Sequence, residues 1–384
     1  MDLQTDTAPA AAPSHDPEPR GTGAAQTLVF SFTGSGHEYF RIWVVNLLLT
    51  LATLGIYSAW AKVRRLQYFD RNTHLAGASF DFRGDPAAIL KGRVLAVLLL
   101  AAYNYAFGFS LEVGLAVIAV LLLALPFLIR GALRFRLANT QYRGLSFGFN
   151  GSVRGAYRAY LPPIATFLLP AALVAAFPDG TLAALATLLY LGWPAMHGAM
   201  KRYQHRHILY GDQQSAYEVP ARRFYRPYLR GGLLALAALV ACTALATGAV
   251  LALSRIPGPR AATWLPLALG GVFGYLFYLL AGPYMQVRIA NLAWSNTSFP
   301  GIRIRSTLSA RQFVRLQTAN AVLTLLTLGL YRPFAVVRVY RYRLAHLALE
   351  ADADVDQVAA RTERSRASAA GDGAADFLGV DISW

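Results

Sequence analysis

The chain has 384 residues, of which 55% are apolar and only 15% charged, and it carries a formal net charge of +16. A soluble domain of this size is about a quarter charged, so the missing quantity is surface charge and a soluble globular protein is excluded. The single cysteine, Cys242, excludes an internal disulfide and a CxxC site and reads as a small packing residue.

Residues 1–27, rich in Ala, Pro, Thr and Asp, lack the basic start and apolar core of a cleavable signal peptide and are expected to form a disordered tail. A polytopic membrane domain is expected over 28–349. Its first apolar element, 42–61, contains NLLLTLATLGIY at 46–57, with Asn46, Thr50 and Thr53 on one side of a helix and Gly55 as a break. Residues 72–84, NTHLAGASFDFRG, read as a short hairpin: Gly77 supplies a turn, and Phe80 and Phe82 share one face at period two before Gly84. Asp85-Pro86 then starts a helix. The hairpin pattern returns at 139–151 as NTQYRGLSFGFNG, with Asn139, Gly144, Phe147, Phe149 and Gly151 at the same offsets as Asn72, Gly77, Phe80, Phe82 and Gly84. Seven matches in thirteen positions make an internal repeat. The phenyl rings are expected against membrane-facing helices or at the interface. Degenerate copies are expected near His207 and at Asn291, although GDQQSAYE at 211–218 departs from the FxFxG pattern.

Apolar blocks at roughly 94–107, 113–129, 161–177, 182–199, 231–253 and 263–282 contain no Asp, Glu, Lys or Arg and approach the ~20 residues that cross ~30 Å of hydrocarbon. NAVLTLLTLGLY at 320–331 repeats 46–57 at an offset of 274, so Asn320, Thr324, Thr327 and Gly329 are the counterparts of Asn46, Thr50, Thr53 and Gly55. The expected fold is therefore an all-α membrane protein with about six transmembrane helices, two re-entrant or interfacial broken helices, and short cytoplasmic β-hairpin-like loops. A seven-span form, in which 42–61 crosses the bilayer and the N terminus lies outside, is the alternative.

Charge sets the orientation. Of the 36 basic residues, seven lie in 61–93, six in 130–160, seven in 200–230, five in 284–318 and seven after 331. The positive-inside rule places these segments, both termini and a 350–384 tail in the cytoplasm. The partners expected of them are anionic lipid headgroups, not nucleic acid.

The run Phe32–Gly84, with FTGSGHEYFRIWVVN, LTLATLGIYSAWAKVR, YFDRNTHLAG and FDFRG, resembles the YjgN-like family of bacterial inner-membrane proteins. The resemblance is weaker in TLGLY, extends over about 28–349, and includes the C-terminal DFLGVDISW. It implies a multi-pass inner-membrane location and supplies no activity, cofactor or site, because that family is defined as being of unknown function.

No phosphate loop, GxSxG or HExxH occurs, so no enzyme activity, metal or cofactor is expected. His197, His205 and His207 are read as interfacial histidines, and Glu38 as a helix cap or an ion-pair partner of Arg64 or Arg65. The aromatic residues Trp43, Tyr57, Trp60, Tyr68, Tyr225 and Tyr228 fit a headgroup-level belt. The sharpest functional expectation is a polar site formed where Asn46, Thr50, Thr53, Asn320, Thr324 and Thr327 meet, in a transporter or channel for a small solute. The alternatives are that these groups only bind neighbouring helices, and that the protein binds anionic lipids or partner proteins through its basic loops.

Overall fold

The computed structural model describes residues 26–177, 181–253 and 261–351. The expected tails, apart from residues 26, 27, 350 and 351, and the short connections 178–180 and 254–260 lie outside the described residues.

Strand β1 (Gln26–Phe32) leads into α1 (Gly36–Ala52), which returns as α2 (Ser58–Arg71) to β2 (Thr73–Leu75) and β3 (Ala78–Phe82). Next, α3 (Pro86–Phe109) and α4 (Leu111–Ala138) feed β4 (Thr140–Tyr142) and β5 (Leu145–Phe149). A third excursion runs through α5 (Val153–Ala176), α6 (Thr181–Ala186), a 3-10 turn (Thr187–Gly192) and α7 (Trp193–Arg206) to β6 (Ile208–Tyr210), β7 (Gln213–Gln214) and β8 (Ala216–Tyr217). The fourth, α8 (Arg222–Leu253) and α9 (Ala261–Trp294), feeds β9 (Thr297–Phe299) and β10 (Ile302–Ser306). The last, α10 (Ala310–Leu326) and α11 (Arg332–Ala345), ends in β11 (Leu347–Ala351).

Local chemistry ends each returning helix in the same way. Asn72, Asn139 and Asn296 each donate Nδ2 to the carbonyl four residues back at 2.8 Å, and His207 and His346 place Nδ1 at 2.9 and 2.8 Å from theirs. These bonds satisfy carbonyls that a helix C-terminus leaves without intrahelical partners. At the other end, Ser35, Asp85 and Ser152 cap the outgoing helices through their side-chain oxygens. The tight turns follow from Ala76-Gly77 and Arg143-Gly144, where both residues have positive φ, the geometry of a two-residue hairpin.

All strand pairs are antiparallel, in the order β7-β6-β5-β4-β3-β2-β1-β11-β10-β9-β8. The ends of this order, β7 and β8, are joined through Ser215, whose N–H donates to Ile208 O at 2.9 Å. The sheet therefore curls into a near-closed ring. Each outgoing strand is also stitched to the next unit: Thr33, Arg83, Asn150 and Thr307 donate backbone N–H groups to the carbonyls of Asn72, Asn139, His207 and His346.

Phenylalanines form two layers. Leu75, Tyr142, Leu145 and Tyr210 pack with Leu28, Phe30, Phe80, Phe147, Phe299 and Leu349 in one cluster. These residues come from opposite parts of the ring, so they meet only in its interior. Two residues further along the strands, Phe32, Phe82 and Phe149 enter separate clusters between ring and helices. Phe80 and Phe82 do share a face, but they serve different layers.

The expected all-α class with six transmembrane helices is not what the chain forms: an eleven-stranded near-barrel sheet stands among the described residues. Three described helices are long and apolar enough to cross a membrane, Pro86–Ala106, Leu111–Ala138 and Arg222–Ala252. Block 182–199 is broken across α6, the 3-10 turn and α7, and block 161–177 carries Pro162, Pro163 and Pro170 within α5. The loops read as isolated hairpins pair edge to edge, because each hairpin alone leaves two rows of backbone donors and acceptors unmatched. The fourth capping position is Asn296, not Asn291; Asn291 instead bonds Leu308 and Ser306.

The FxG step depends on a missing side chain. A Cβ on Gly84 would lie 2.5 Å from the Phe82 ring, and one on Gly151 2.5 Å from Phe149, whereas one on Gly232 meets nothing within 4 Å. Gly84→Ala and Gly151→Ala are expected to lower stability by about 1–3 kcal/mol in thermal unfolding of the detergent-solubilised protein. Gly232→Ala should leave it unchanged or slightly higher; equal behaviour of all three would refute the packing assignment.

Candidate functional site

The two T-x-x-T-L-G segments build the reversals between α1 and α2 and between α10 and α11. Leu54 and Gly55 have φ of 50° and 93°, and Leu328 and Gly329 have 49° and 95°. Gly55 N donates to Thr50 O and Gly329 N to Thr324 O, both at 2.7 Å, closing a helix-ending turn. The Thr53 and Thr327 hydroxyls accept from Tyr57 N and Tyr331 N at 2.9 Å, so each threonine ties the outgoing helix to the returning one. The apices are apolar and bare: Leu54 is 95% and Leu328 94% exposed. A 17-residue helix such as α1 is about 25 Å long, short of the ~30 Å hydrocarbon core.

The polar residues predicted to meet make their described hydrogen bonds within their own hairpins. Thr50 donates to Asn46 O and Thr324 to Asn320 O at 2.6 Å, and Asn320 Nδ2 lies 3.4 Å from Ala335 O. These bonds stay within one hairpin. Between hairpins, α1 packs on α11, with Phe334 stacked on Phe40 and edge-on to His37. Asn46 and Asn320 are both buried, yet they differ: Asn320 Oδ1 accepts from Arg338 at 3.2 Å, whereas Asn46 Oδ1 has no partner among the described residues. Arg64, the counterpart of Arg338, lies over the Tyr57 ring at 6.0 Å.

Beside Asn320 opens a cleft of about 380 Å³ lined by Gln312, Arg315, Leu316, Ala319, Arg338 and Tyr342. No carboxylate lines it. The 274-residue offset already pairs Arg41 with Arg315, but nothing local marks them as facing a groove.

The hairpin-motif residues are structural: Asn72 and Asn139 cap, Gly77 and Gly144 turn, and Gly84 and Gly151 admit the phenyl rings. Glu38 and Ser35 form a capping box, and Tyr68 OH donates to Glu38 at 3.2 Å. His205 is buried against Thr297 Oγ1 at 3.0 Å, and burial depresses its pKa to about 3, so its ring stays neutral. His197 lies 2.7 Å from Tyr228 OH. The described residues contain no group of three or more His, Cys, Asp or Glu placed to hold a metal.

One buried acid escaped sequence reasoning. Asp70, at the ring end of α2, has an Oδ2 without a partner among the described residues. Burial, aided by Asp81 and opposed by Arg136, pushes its carboxyl from an ordinary 3.8 up to about 6.

Comparison with known proteins places the chain. Residues 27–377 match the family model described as bacterial protein of unknown function (DUF898). The chain is 33% identical over 137 residues to inner membrane protein YjgN of Salmonella typhimurium, covering 34% of this chain and 33% of that protein. It is also 33% identical over 148 residues to the proteins of the same name from Escherichia coli O157:H7 and K12, covering 37% of this chain and 34% of theirs. The aligned part thus spans about a third of the length of these curated relatives. No solved structure matches.

Two outcomes test these assignments. The folded state holds the Asp70 proton more tightly than the unfolded chain, so its penalty is absent well below pH 3.8 and complete above about 6. Asp70→Asn should therefore stabilise by about 3 kcal/mol at pH 8 and about half that at pH 5; a pH-independent effect in thermal unfolding would contradict the assignment. Asn320→Leu removes a side chain engaged at both ends and should cost about 1–3 kcal/mol. Asn46→Leu should cost less in the same assay, and the reverse order would contradict the asymmetry.

Proposed function

This chain belongs to the DUF898 family of bacterial proteins of unknown function, and we propose that it is a multi-pass inner-membrane protein that holds a filled β-ring at the cytoplasmic leaflet and binds anionic lipid headgroups through the cations around that ring. The observation that carries the reading is where the charge sits. Arg71, Arg136, Arg206 and Arg343 occupy the last turns of α2, α4, α7 and α11, next to the strands. Arg154, Arg158, Arg222, Arg223 and Arg226 occupy the first turns of α5 and α8. The far ends of α3 and α8 are apolar, and that of α4 carries Glu112 as its single charge. Such a belt lies at headgroup depth when the helices enter the bilayer, and each cation near an anionic surface contributes about 1 kcal/mol.

Three features support binding over conduction or catalysis. The ring interior is filled by apolar and aromatic side chains, which opposes a water path through it. The Asn and Thr groups are used within their own hairpins. Strands β1 and β11 pair with Gln26 opposite Ala351, which puts both ends of the described chain on one side, and we read that side as cytoplasmic. We also read the five strand-and-hairpin units as copies of one ancestral unit. A second reading, a carrier for a small solute, draws on the unpartnered Asn46 Oδ1.

The deciding measurement compares thermal unfolding in nanodiscs of phosphatidylglycerol and of phosphatidylcholine. Stabilisation by several degrees in phosphatidylglycerol is expected, and it should vanish near 1 M salt, where the Debye length falls to about 3 Å. Equal stability in both lipids, together with solute flux abolished by Asn46→Leu, would replace this reading with the carrier.

A further inference from the structure

The end-to-end match carries information in the position where it fails. Hairpins α1–α2 and α10–α11 have the same bounds at an offset of 274, and the cleft residues Gln312, Arg315, Leu316, Ala319, Arg338 and Tyr342 correspond to Glu38, Arg41, Ile42, Val45, Arg64 and Tyr68. Both arginines are present in each copy. Only the first has a carboxylate, Glu38, which is held by Ser35 N at 3.3 Å and Tyr68 OH at 3.2 Å. In the second, Gln312 replaces it, and its Oε1 accepts from Tyr342 OH at 3.3 Å. The swap keeps the shape and removes the negative charge, leaving two guanidinium groups with no acid in the lining.

Arg338 is held in place. One nitrogen donates to Asn320 Oδ1 at 3.2 Å and to Tyr331 OH at 2.8 Å; a guanidinium has five N–H donors, so these two bonds leave three donors over, and Arg338 lines the cleft. Gln312, Arg315, Leu316 and Ala319 recur at helical spacing on one face of α10, and the same face continues toward the apex through Val322 and Leu326, which are 50% and 73% exposed. A cationic pair in the ring-side half and middle of the hairpin, followed toward the apex by bare apolar surface, matches the order of a phosphate headgroup and its acyl chains.

We propose that the cleft between α10 and α11 is a phosphate-ester site, built from Arg315 and Arg338 with Gln312 and Tyr342, that takes the headgroup of an anionic phospholipid. This deepens the lipid-binding reading and rests on it. The first hairpin, with its own acid in place, is the unoccupied counterpart.

The test uses the full chain in neutral detergent and titrates dioctanoyl phosphatidylglycerol, dioctanoyl phosphatidylcholine and glycerol 3-phosphate, with binding followed by native mass spectrometry. One saturable equivalent of phosphatidylglycerol is expected, weakened about tenfold or more by Arg315→Gln/Arg338→Gln and by Gln312→Glu, which restores the acid of the first hairpin without changing volume. Arg41→Gln/Arg64→Gln should leave it unchanged. Binding of the diacyl lipid but not of glycerol 3-phosphate supports the lipid source, whereas glycerol 3-phosphate binding equally well supports a phosphate site for a soluble ester. Wild-type affinity in Gln312→Glu, or phosphatidylcholine binding as tight as phosphatidylglycerol, overturns the site. The general lipid reading is separable, since stabilisation in phosphatidylglycerol nanodiscs would persist in Gln312→Glu if the site alone is wrong and would be absent from every variant if the reading itself is wrong.

Discussion

Everything else in this fold hangs on the backbone hydrogen bonds that run around the near-closed ring. A strand of three residues is too short to persist alone, and a single hairpin in water is marginal. Here each of β2, β4 and β6 is bonded to a strand that precedes its own helical hairpin, β1, β3 and β5, as well as to its own hairpin mate. The stretch 213–217 supplies both terminal strands, and Ser215 bonds Ile208 and His205 between them. Among the described residues only β7 and β8, two residues each, pair on one side alone, and the chain joins them through Ser215, which keeps the exposed edges short. Once the ring is closed, the positions from which the helical hairpins depart are fixed, and so are the neighbours each hairpin meets.

That closure also explains which parts of the molecule were legible. Motifs that act through their own neighbours could be read directly. Gly77 and Gly144 mark tight turns within their own hairpins, and Gly55 and Gly329 mark the helix breaks, as the positive φ at these positions shows; the capping role of Asn72 and Asn139 emerged only in the fold. What could not be read was partnership. β1 and β11 are 315 or more residues apart in sequence, and nothing in QTLVFSF or LALEA names the other as its mate. Matching by letters also misplaced the fourth copy: Arg288-Ile-Ala-Asn291 imitates Arg136-Leu-Ala-Asn139, but the helix continues for three more residues and the cap falls on Asn296. Asp70 was invisible for a related reason, since its burial depends on groups brought in from α4 and α11, whose Arg136 and Tyr340 sense its charge.

The FxFxG strands show how one sequence period serves two levels. Alternation places Phe80 and Phe82, or Phe147 and Phe149, on one side of the strand. Because the strand crosses from the ring to the helix base, the first ring fills the centre and the second caps the helices. Phe82 meets Phe135 edge-on at 6.4 Å, and Phe149 meets Tyr203 at 5.4 Å. The following glycine is then forced, because the phenyl ring folds back over its backbone. Tyr142 and Tyr210 add polar ties at the centre, donating their hydroxyls to Leu75 O and Tyr142 O, so a cluster dominated by aromatic rings still leaves few buried donors unmatched.

Ring closure and charge placement are linked. A filled ring has no polar interior, so arginines near it must point outward or downward, and the outward face uses Asp81 and Glu350 to hold Arg71, Arg83 and Arg305. These exposed pairs contribute little to stability, in general about 0–1 kcal/mol each. Among the described residues, the cations of the helix ends outnumber the acids paired with them. A surface with that excess, facing apolar helices below it, is complementary to an anionic leaflet. On the lipid-binding proposal, the cleft offers Arg338 already held by Asn320 and Tyr331 before any ligand arrives. An ordered arginine loses less rotamer entropy on binding than a freely rotating one does, and on that proposal this difference separates one headgroup site from the general attraction of the belt.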